Sequence, residues 1–159
     1  MKFTARLACT AILALAAASL SPAQAKPDPS PAVTVFSGET QVAVFTTARC
    51  RHSKGDFKAL TAAVNGYRLF VSIDEFDGFH TYDLEQGTDA GPYASITRNG
   101  ESAFSTLYVP PFPAPSFGQV RFRGNGRTMG IGYQFMFNRD GTDGLVFAGA
   151  LRCQYKRKG

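Results

Sequence analysis

The sequence predicts an all-β protein, an antiparallel β-sandwich with an immunoglobulin-like layout and one disulfide. Most of the chain after residue 32 consists of short segments in which apolar and polar residues alternate with a period of two, as in a strand with one buried face. Turn dipeptides such as Asn-Gly and Asp-Gly separate these segments at short intervals. Many short strands divided in this way are typical of a sandwich.

The first 25 residues have the three parts of a secretory signal peptide. Lys2 and Arg6 form a short basic region, residues 7–20 are almost all small and apolar, and the sequence "AQA" ends at Ala25. We therefore expect cleavage after Ala25 and a protein that is secreted or held in the periplasm or cell envelope. The apolar run is too short for a comfortable membrane span, and Cys9 precedes the position of a lipobox cysteine, so no membrane span is expected after cleavage.

The remaining chain is predicted to hold one domain. Residues 26–32, "KPDPSPA", form a proline-rich tether, and residues 33–159 suffice for a single core. The formal net charge of +5 becomes +3 without Lys2 and Arg6, because 15 basic residues then face 12 acidic ones. The basic residues are scattered except at residues 156–158, so the sequence predicts no nucleic-acid binding.

Two cysteines, Cys50 and Cys153, remain after the predicted cleavage. In an exported protein, an even pair of cysteines is typical of a disulfide. The chain has no CxxC motif that would favour a metal or redox site. We therefore predict a Cys50–Cys153 disulfide between an early strand and the last one, and we expect no metal ion and no cofactor.

The alternation predicts individual strands in the first half of the domain. Residues 33–36 and 42–47 are rich in Val, Thr and Phe and are separated by a turn at Gly38. Residues 56–64 fit either a short helix capped by Asp56 or a strand, and we favour the strand.

The same alternation continues through the second half. Asn65-Gly66 is a hairpin signal, and the residues after it alternate up to Ile73. Residues 104–109 and 117–123 lead into and out of a proline-rich segment. The last two strands are predicted from single apolar faces, which are Met129, Ile131, Tyr133, Phe135 and Phe137 for one and Leu145, Phe147, Gly149, Leu151 and Cys153 for the other.

An acidic segment carries the one pattern that suggests catalysis. His80 lies among carboxylates that could act in general acid–base catalysis or bind calcium. Their spacing matches no calcium loop, and we favour an acidic hairpin with solvated charges. The carboxylates are Asp74, Glu75, Asp77, Asp83, Glu85 and Asp89.

Two other polar segments are predicted to be structural. Residues 138–144, "NRDGTDG", lack the glycine and the bidentate glutamate that an EF-hand loop needs, so we expect a hairpin turn. His52, Ser53 and Asp56 are too close along one loop to converge as a catalytic triad, and there is no G-x-S-x-G motif. We assign no catalytic and no metal-binding residue.

The segment "VPPFPAPSF", residues 109–117, is the candidate binding loop. Its prolines favour an extended, stiff conformation between two strands. Its aromatic side chains either fold back over one end of the domain or stand out as a docking edge. The candidate binding residues are Tyr108, Pro110, Pro111, Phe112, Pro113, Pro115 and Phe117.

Two segments carry a resemblance to a known family. "NGYRLFVSIDEFDGFHTYDL", residues 65–84, has a strand, an aromatic residue, a glycine turn and a "TY" strand, and "GLVFAGALRC", residues 144–153, ends the fold on a cysteine. This arrangement resembles small secreted bacterial β-sandwich proteins of the mycobacterial 19-kDa lipoprotein antigen type. The resemblance implies a secreted or surface antigen without catalytic residues. The chain departs from the family by lacking a lipobox, so a membrane-anchored role is not implied.

These observations predict a secreted or envelope-associated, non-enzymatic binding or surface-antigen module. Its expected partner is a protein or a glycan at the cell surface or outside the cell. One alternative is a secreted inhibitor of a hydrolase that presents the proline-stiffened loop. A second alternative is a small secreted hydrolase that uses His80 and nearby carboxylates.

Overall fold

The computed structural model describes residues 30–84, 91–108 and 118–156, and this part of the chain is built from strands without a helix. The all-β class is therefore confirmed. The described residues contain no helix with the length and apolar character that crossing a lipid bilayer requires. In chain order, the strands are β1 (Val33–Ser37), β2 (Thr40–Phe45), β3 (Thr47–Ser53), β4 (Asp56–Thr61), β5 (Tyr67–Asp74), β6 (Thr81–Asp83), β7 (Tyr93–Arg98), β8 (Glu101–Ser105), β9 (Gln119–Arg123), β10 (Thr128–Phe137) and β11 (Gly144–Tyr155).

The strands form one continuous sheet in the order β2-β1-β11-β3-β4-β5-β7-β8-β10-β9-β6. Neighbouring strands are antiparallel except β3 and β11, which run parallel. β10 also pairs with β11, so the pairings lead from β11 through β3, β4, β5, β7, β8 and β10 back to β11. The sheet is thus mostly antiparallel, as expected. The division into two facing sheets and the immunoglobulin-like layout stay predictions.

The alternating apolar faces fill the core of this sheet. In β5, Leu69, Val71 and Ile73 are buried, as predicted. In β11, Leu145, Phe147 and Leu151 of the predicted face are buried, whereas Gly149 is exposed and Cys153 is half-buried. Fully burying a side chain of this size stabilises a fold by about 1.5–3 kcal/mol. The largest fully buried side chains also include Phe45, Phe57, Ile96, Met129, Met136 and Phe147.

β10 departs from its predicted pattern because it contains a β-bulge. Ile131 pairs with Gly149 and Gln134 pairs with Phe147, so β10 holds one more residue than β11 between these two pairs. The extra residue inverts the alternation. Gln134 and Met136, predicted for the opposite face, are fully buried. Met129, Ile131 and Phe137 of the predicted apolar face are buried as expected. Phe135 is only half-buried, so the prediction of a single apolar face is wrong there, and the side chain of Tyr133 lies outside the described part of the structure.

The predicted hairpin turns form where Asn-Gly occurs. Asn65 and Gly66 have φ angles of 51° and 81°, and Asn99 and Gly100 have φ angles of 54° and 92°. Asn and Gly are the residues that adopt such left-handed conformations at the least cost, and two of them in succession make the turn that matches strand twist. The first turn joins β4 to β5, so the strand interpretation of residues 56–64 is confirmed for Asp56–Thr61.

The predicted disulfide is present between Cys50 of β3 and Cys153 of β11, with their Cα atoms 5.3 Å apart. It joins residues separated by 103 positions, across the parallel strand pair. A cross-link that closes a loop of this length stabilises a domain by up to about 4.7 kcal/mol through the unfolded chain. The disulfide therefore fixes the position of β11 against β3, where the candidate site lies.

Candidate functional site

The outer face of β11, β3, β4 and β5 carries a group of cationic side chains. Cys50 is buried in β3, so the adjacent Arg49 and Arg51 point to the opposite, solvent-exposed side. β4 alternates in the same way and turns Lys58 and Leu60 outward. The strand pattern that fills the core therefore also presents these side chains on one outer face.

The strand register arranges the outward side chains in two rows. Residues two apart along a strand lie about 7 Å from each other, and neighbouring strands lie about 4.8 Å apart. In one row, Arg51 of β3 is directly opposite Lys58 of β4. The adjacent row, read from β11 to β5, consists of Gln154, Arg49, Leu60 and Phe70.

These rows border a groove of about 650 Å³, here called the cationic groove. Lys156, just after β11, adds a fourth basic side chain to it. The disulfide-bonded Cys50 contributes to its lining, so the cross-link lies next to the charged surface. The lining residues are Arg49, Cys50, Arg51, Lys58, Ala59, Leu60, Phe70, Gln154, Tyr155 and Lys156.

The positive charge of the cationic groove is largely uncompensated. Lys58 Nζ lies 3.1 Å from Asp56 Oδ1, and this is the one ion pair that any of the four cations forms within residues 30–84, 91–108 and 118–156. Two like charges directly opposite each other on neighbouring strands destabilise a sheet by a few tenths of a kcal/mol. The fold thus gains nothing from placing Arg51 beside Lys58, whereas an anion bound between them would be stabilised by both.

The floor of the groove has an apolar part beside the charges. Leu60 is 39% exposed, and among the described residues it is the one large hydrophobic side chain that is exposed. Phe70, half-buried, lies next to it in the register, with the ring of Tyr93 5.9 Å away. The groove therefore offers a ligand both cations and an apolar contact.

A second polar cluster lies around His80, which directly precedes β6. His80 Nε2 is 2.5 Å from Asp77 Oδ1, and the hydroxyl of Tyr82 donates to the same carboxylate oxygen at 2.7 Å. His80 Nδ1 lies 2.9 Å from the carbonyl oxygen of Thr81. The rings of His80 and Tyr82 stack with centroids 4.1 Å apart.

This geometry favours the charged forms of both partners. The hydrogen bond that His80 donates to Asp77 raises the pKa of His80, and the bond that it donates to the Thr81 carbonyl raises it further. The hydrogen bond from His80, followed by that from Tyr82, lowers the pKa of Asp77. Both neighbours of the imidazole are acceptors, so both ring nitrogens act as donors, as they do in the imidazolium.

The structure brings only part of the acidic segment to His80. Asp74 accepts a hydrogen bond from Ser72 at 3.5 Å, and Asp83 accepts one from Gln119 at 2.8 Å. Among the described carboxylates of this segment, Asp77 is the one that contacts His80. Glu85 and Asp89 lie outside the described residues. The pair is exposed on the surface, with His80 52% and Asp77 75% accessible.

His52 belongs to an aromatic cluster. Its ring lies 5.1 Å from that of Phe79, 5.8 Å from that of Phe76 and 5.5 Å from that of Tyr155. Asp56 instead pairs with Lys58, so no triad of His52 with Ser53 and Asp56 forms.

Residues 138–144 form the expected hairpin turn between β10 and β11. The backbone N–H of Asn138 donates to the carbonyl oxygen of Asp143, and the backbone N–H of Asp143 donates to the side-chain oxygen of Asn138. Asp140 accepts hydrogen bonds from the backbone N–H and the hydroxyl of Thr142. These bonds also lower the pKa of Asp140. No cluster of three or more metal-ligating side chains occurs in the described part of the chain.

One residue of the candidate binding loop, Tyr108, lies among the described residues. Tyr108 is half-buried, and its backbone N–H donates to the carbonyl oxygen of Ser105 at 3.4 Å. The remaining residues of that prediction lie outside the described residues, and they are Pro110, Pro111, Phe112, Pro113, Pro115 and Phe117.

Comparison of the chain with protein-family models, with curated proteins and with solved structures gave no match. The resemblance to secreted antigens of the mycobacterial 19-kDa lipoprotein type therefore stays a prediction.

The cationic groove was not predicted from the sequence. Three of its basic residues, Arg49, Arg51 and Lys58, come from the hairpin of β3 and β4, and the fourth, Lys156, comes from a segment about a hundred positions further along the chain. Basic residues that are scattered along the sequence are thus brought together on this part of the surface. A signal is present in "ARCR", residues 48–51, where arginines alternate with small residues that become buried. The pairing of β3 with β11 could not be read from that signal.

Proposed function

We propose that this chain is an exported, non-enzymatic binding module and that the cationic groove is its recognition surface for an anionic ligand. The observation that carries this proposal is the cross-strand pair of Arg51 and Lys58, flanked by Arg49 and Lys156. The predicted signal peptide and the Cys50–Cys153 disulfide support export.

The chemistry of the four side chains favours carboxylate, sulfate or phosphate groups as ligands. An arginine guanidinium presents a planar set of donors that can hold two oxygens of such a group at once, whereas a lysine contributes a mobile point charge. Arg49 and Arg51 are two positions apart on β3, and their side chains are therefore about 7 Å from each other. This distance suits two successive anionic groups better than one.

The geometry favours binding over the hydrolase alternative. A general base needs a nitrogen that can accept a proton, and both ring nitrogens of His80 already face acceptors, Asp77 and the Thr81 carbonyl. The pair lies on an exposed surface rather than in a cleft that excludes water. The inhibitor alternative depends on the proline-rich loop and has no support from the described residues.

The test is binding of the purified protein to a sulfated oligosaccharide and to inorganic polyphosphate at low salt. We expect Arg51→Gln to weaken binding of both by about tenfold, since each charge-assisted contact contributes on that order. The affinity should also fall steeply with added salt. Arg123→Gln is the matched control, because Arg123 is an exposed cation on β9, outside the groove. Equal effects of the two substitutions, or no binding of either probe by the unaltered protein, would refute the proposal.

A further inference from the structure

We infer that the ligand of the cationic groove is an acidic polysaccharide, bound with its anionic groups on Arg49, Arg51 and Lys58 and with a sugar ring against Leu60 and Phe70. This inference rests on the proposed function and adds the class of ligand. It depends on the arrangement of two different surfaces in one groove.

The first part of the argument is the position of the apolar residues. Leu60 follows Arg49 in the same cross-strand row, and Phe70 follows Leu60. A ligand that lies across the strands from Arg49 therefore meets an apolar surface within two strand spacings, or about 10 Å. A simple anion such as phosphate has no group that would use this surface, whereas a sugar ring presents a face of C–H groups.

The second part is the exposure of Leu60. Leu60 and Phe70 are adjacent across the strands, so they form a patch rather than a single exposed residue, and exposed apolar surface is unfavourable in water. At 39% exposure Leu60 still has area to lose on binding, and the half-buried Phe70 widens the same patch. The patch lies in a groove rather than on a protruding tip, so it fits a chain lying along it better than a bilayer surface.

The third part is Gln154, the polar neighbour of Arg49 on the other side. It is exposed, and its side-chain amide both donates and accepts hydrogen bonds. Sugar hydroxyls also do both, whereas a phosphate or a carboxylate only accepts. A row of an amide, a guanidinium and an apolar patch thus matches the hydroxyl, the acidic group and the ring face of an acidic sugar.

The experiment compares three probes at equal salt, which are a heparin hexasaccharide, inorganic polyphosphate of comparable charge, and vesicles that contain phosphatidylglycerol. Leu60→Ser is the informative variant, because it removes the apolar contact, keeps every charge and alters an exposed position where stability changes little. We expect it to weaken hexasaccharide binding at least threefold and to leave polyphosphate binding unchanged. Leu60→Met, which keeps the apolar volume, should bind the hexasaccharide like the unaltered protein.

The outcomes separate this inference from the proposed function. If Arg51→Gln weakens binding of both soluble probes while Leu60→Ser affects neither, the groove binds anions and the polysaccharide inference is overturned. If the vesicles bind more tightly than the hexasaccharide and Leu60→Ser abolishes that binding, the occupant is a lipid surface, which also overturns it. If no probe binds, both proposals fail.

Discussion

At the scale of single residues, Arg51 is expected to favour anion binding and to lower the stability of the fold slightly. Its cross-strand partner is Lys58, so Arg51→Thr removes a like-charge pair and introduces a residue that favours strands. We predict that this variant is more stable by a few tenths of a kcal/mol in urea unfolding, and that it binds anions less tightly than the unaltered protein. Arg123→Thr is the control, because Arg123 pairs with the neutral Thr128. Destabilisation of Arg51→Thr relative to that control would contradict the prediction.

The pair of Asp77 and His80 makes a second prediction at this scale. The pKa of His80 is raised above its ordinary value of 6.5, so its contribution to stability is full below that value and is lost as the pH rises through the raised pKa. The pKa of Asp77 is lowered below 3.8, so its contribution is full above 3.8 and is lost as the pH falls through the lowered pKa. The pair therefore favours folding most between pH 3.8 and 6.5.

Titration of the His80 ring protons by NMR measures this directly. We expect a His80 pKa above the ordinary value of 6.5, with a return toward that value in Asp77→Asn. Tyr82→Phe should lower the His80 pKa much less, since Tyr82 donates to Asp77 and its ring only stacks on the imidazole. A His80 pKa that does not change in Asp77→Asn would show that the pair does not form in solution.

At the scale of elements, the bulge in β10 places a polar side chain in the core. Gln134 is fully buried, its Nε2 donates to the Phe135 carbonyl oxygen at 3.3 Å, and its Oε1 has no hydrogen-bond partner among the described residues. We predict that Gln134→Met, which is similar in shape, stabilises the protein by about 1 kcal/mol in urea unfolding, because an unpartnered buried oxygen is removed. A loss of stability would mean that Oε1 has a partner, such as a buried water.

The strands and their turns could largely be predicted from the sequence, because their causes are local. The alternation of Leu69, Val71 and Ile73 and the Asn65-Gly66 turn each depend on neighbouring residues alone. The bulge after Ile131 could not be predicted, since one extra residue leaves both halves of β10 with a regular alternation. Glycines within a strand are compatible with a bulge, and β10 contains Gly130 and Gly132, but they do not fix its position.

At the scale of the whole molecule, the disulfide links stability to the proposed site. β3 and β11 are joined by a short parallel ladder and by the Cys50–Cys153 disulfide. β3 contributes Arg49 and Arg51 to the groove, and the end of β11 leads directly into Lys156. We predict that the double variant Cys50→Ser, Cys153→Ser loses roughly 2–5 kcal/mol of stability. Where it remains folded, it should also bind the hexasaccharide more weakly. Urea unfolding and titration of the same samples test both, and unchanged affinity with lowered stability would show that the ladder alone positions the groove.

The overall class and the cross-link followed from the sequence, whereas the candidate site did not. An even pair of cysteines and repeated alternation are sufficient for a disulfide-linked all-β fold. The cationic groove depends on which strands become neighbours, and β11 reaches β3 from more than a hundred positions along the chain. Residues such as Arg51 and Lys156 become neighbours only through that long-range pairing, which no local pattern encodes.

The most direct test of the central claim is a map of backbone amide chemical shifts during titration of the protein with the heparin hexasaccharide. The groove predicts saturable shifts concentrated at residues 49–51, 58–60 and 154–156, on β3, β4 and the end of β11. It also predicts that the shifts are lost in Arg51→Gln and retained in Arg123→Gln. Shifts centred on residues 108–117 or around His80, or the absence of saturable shifts, would contradict the claim.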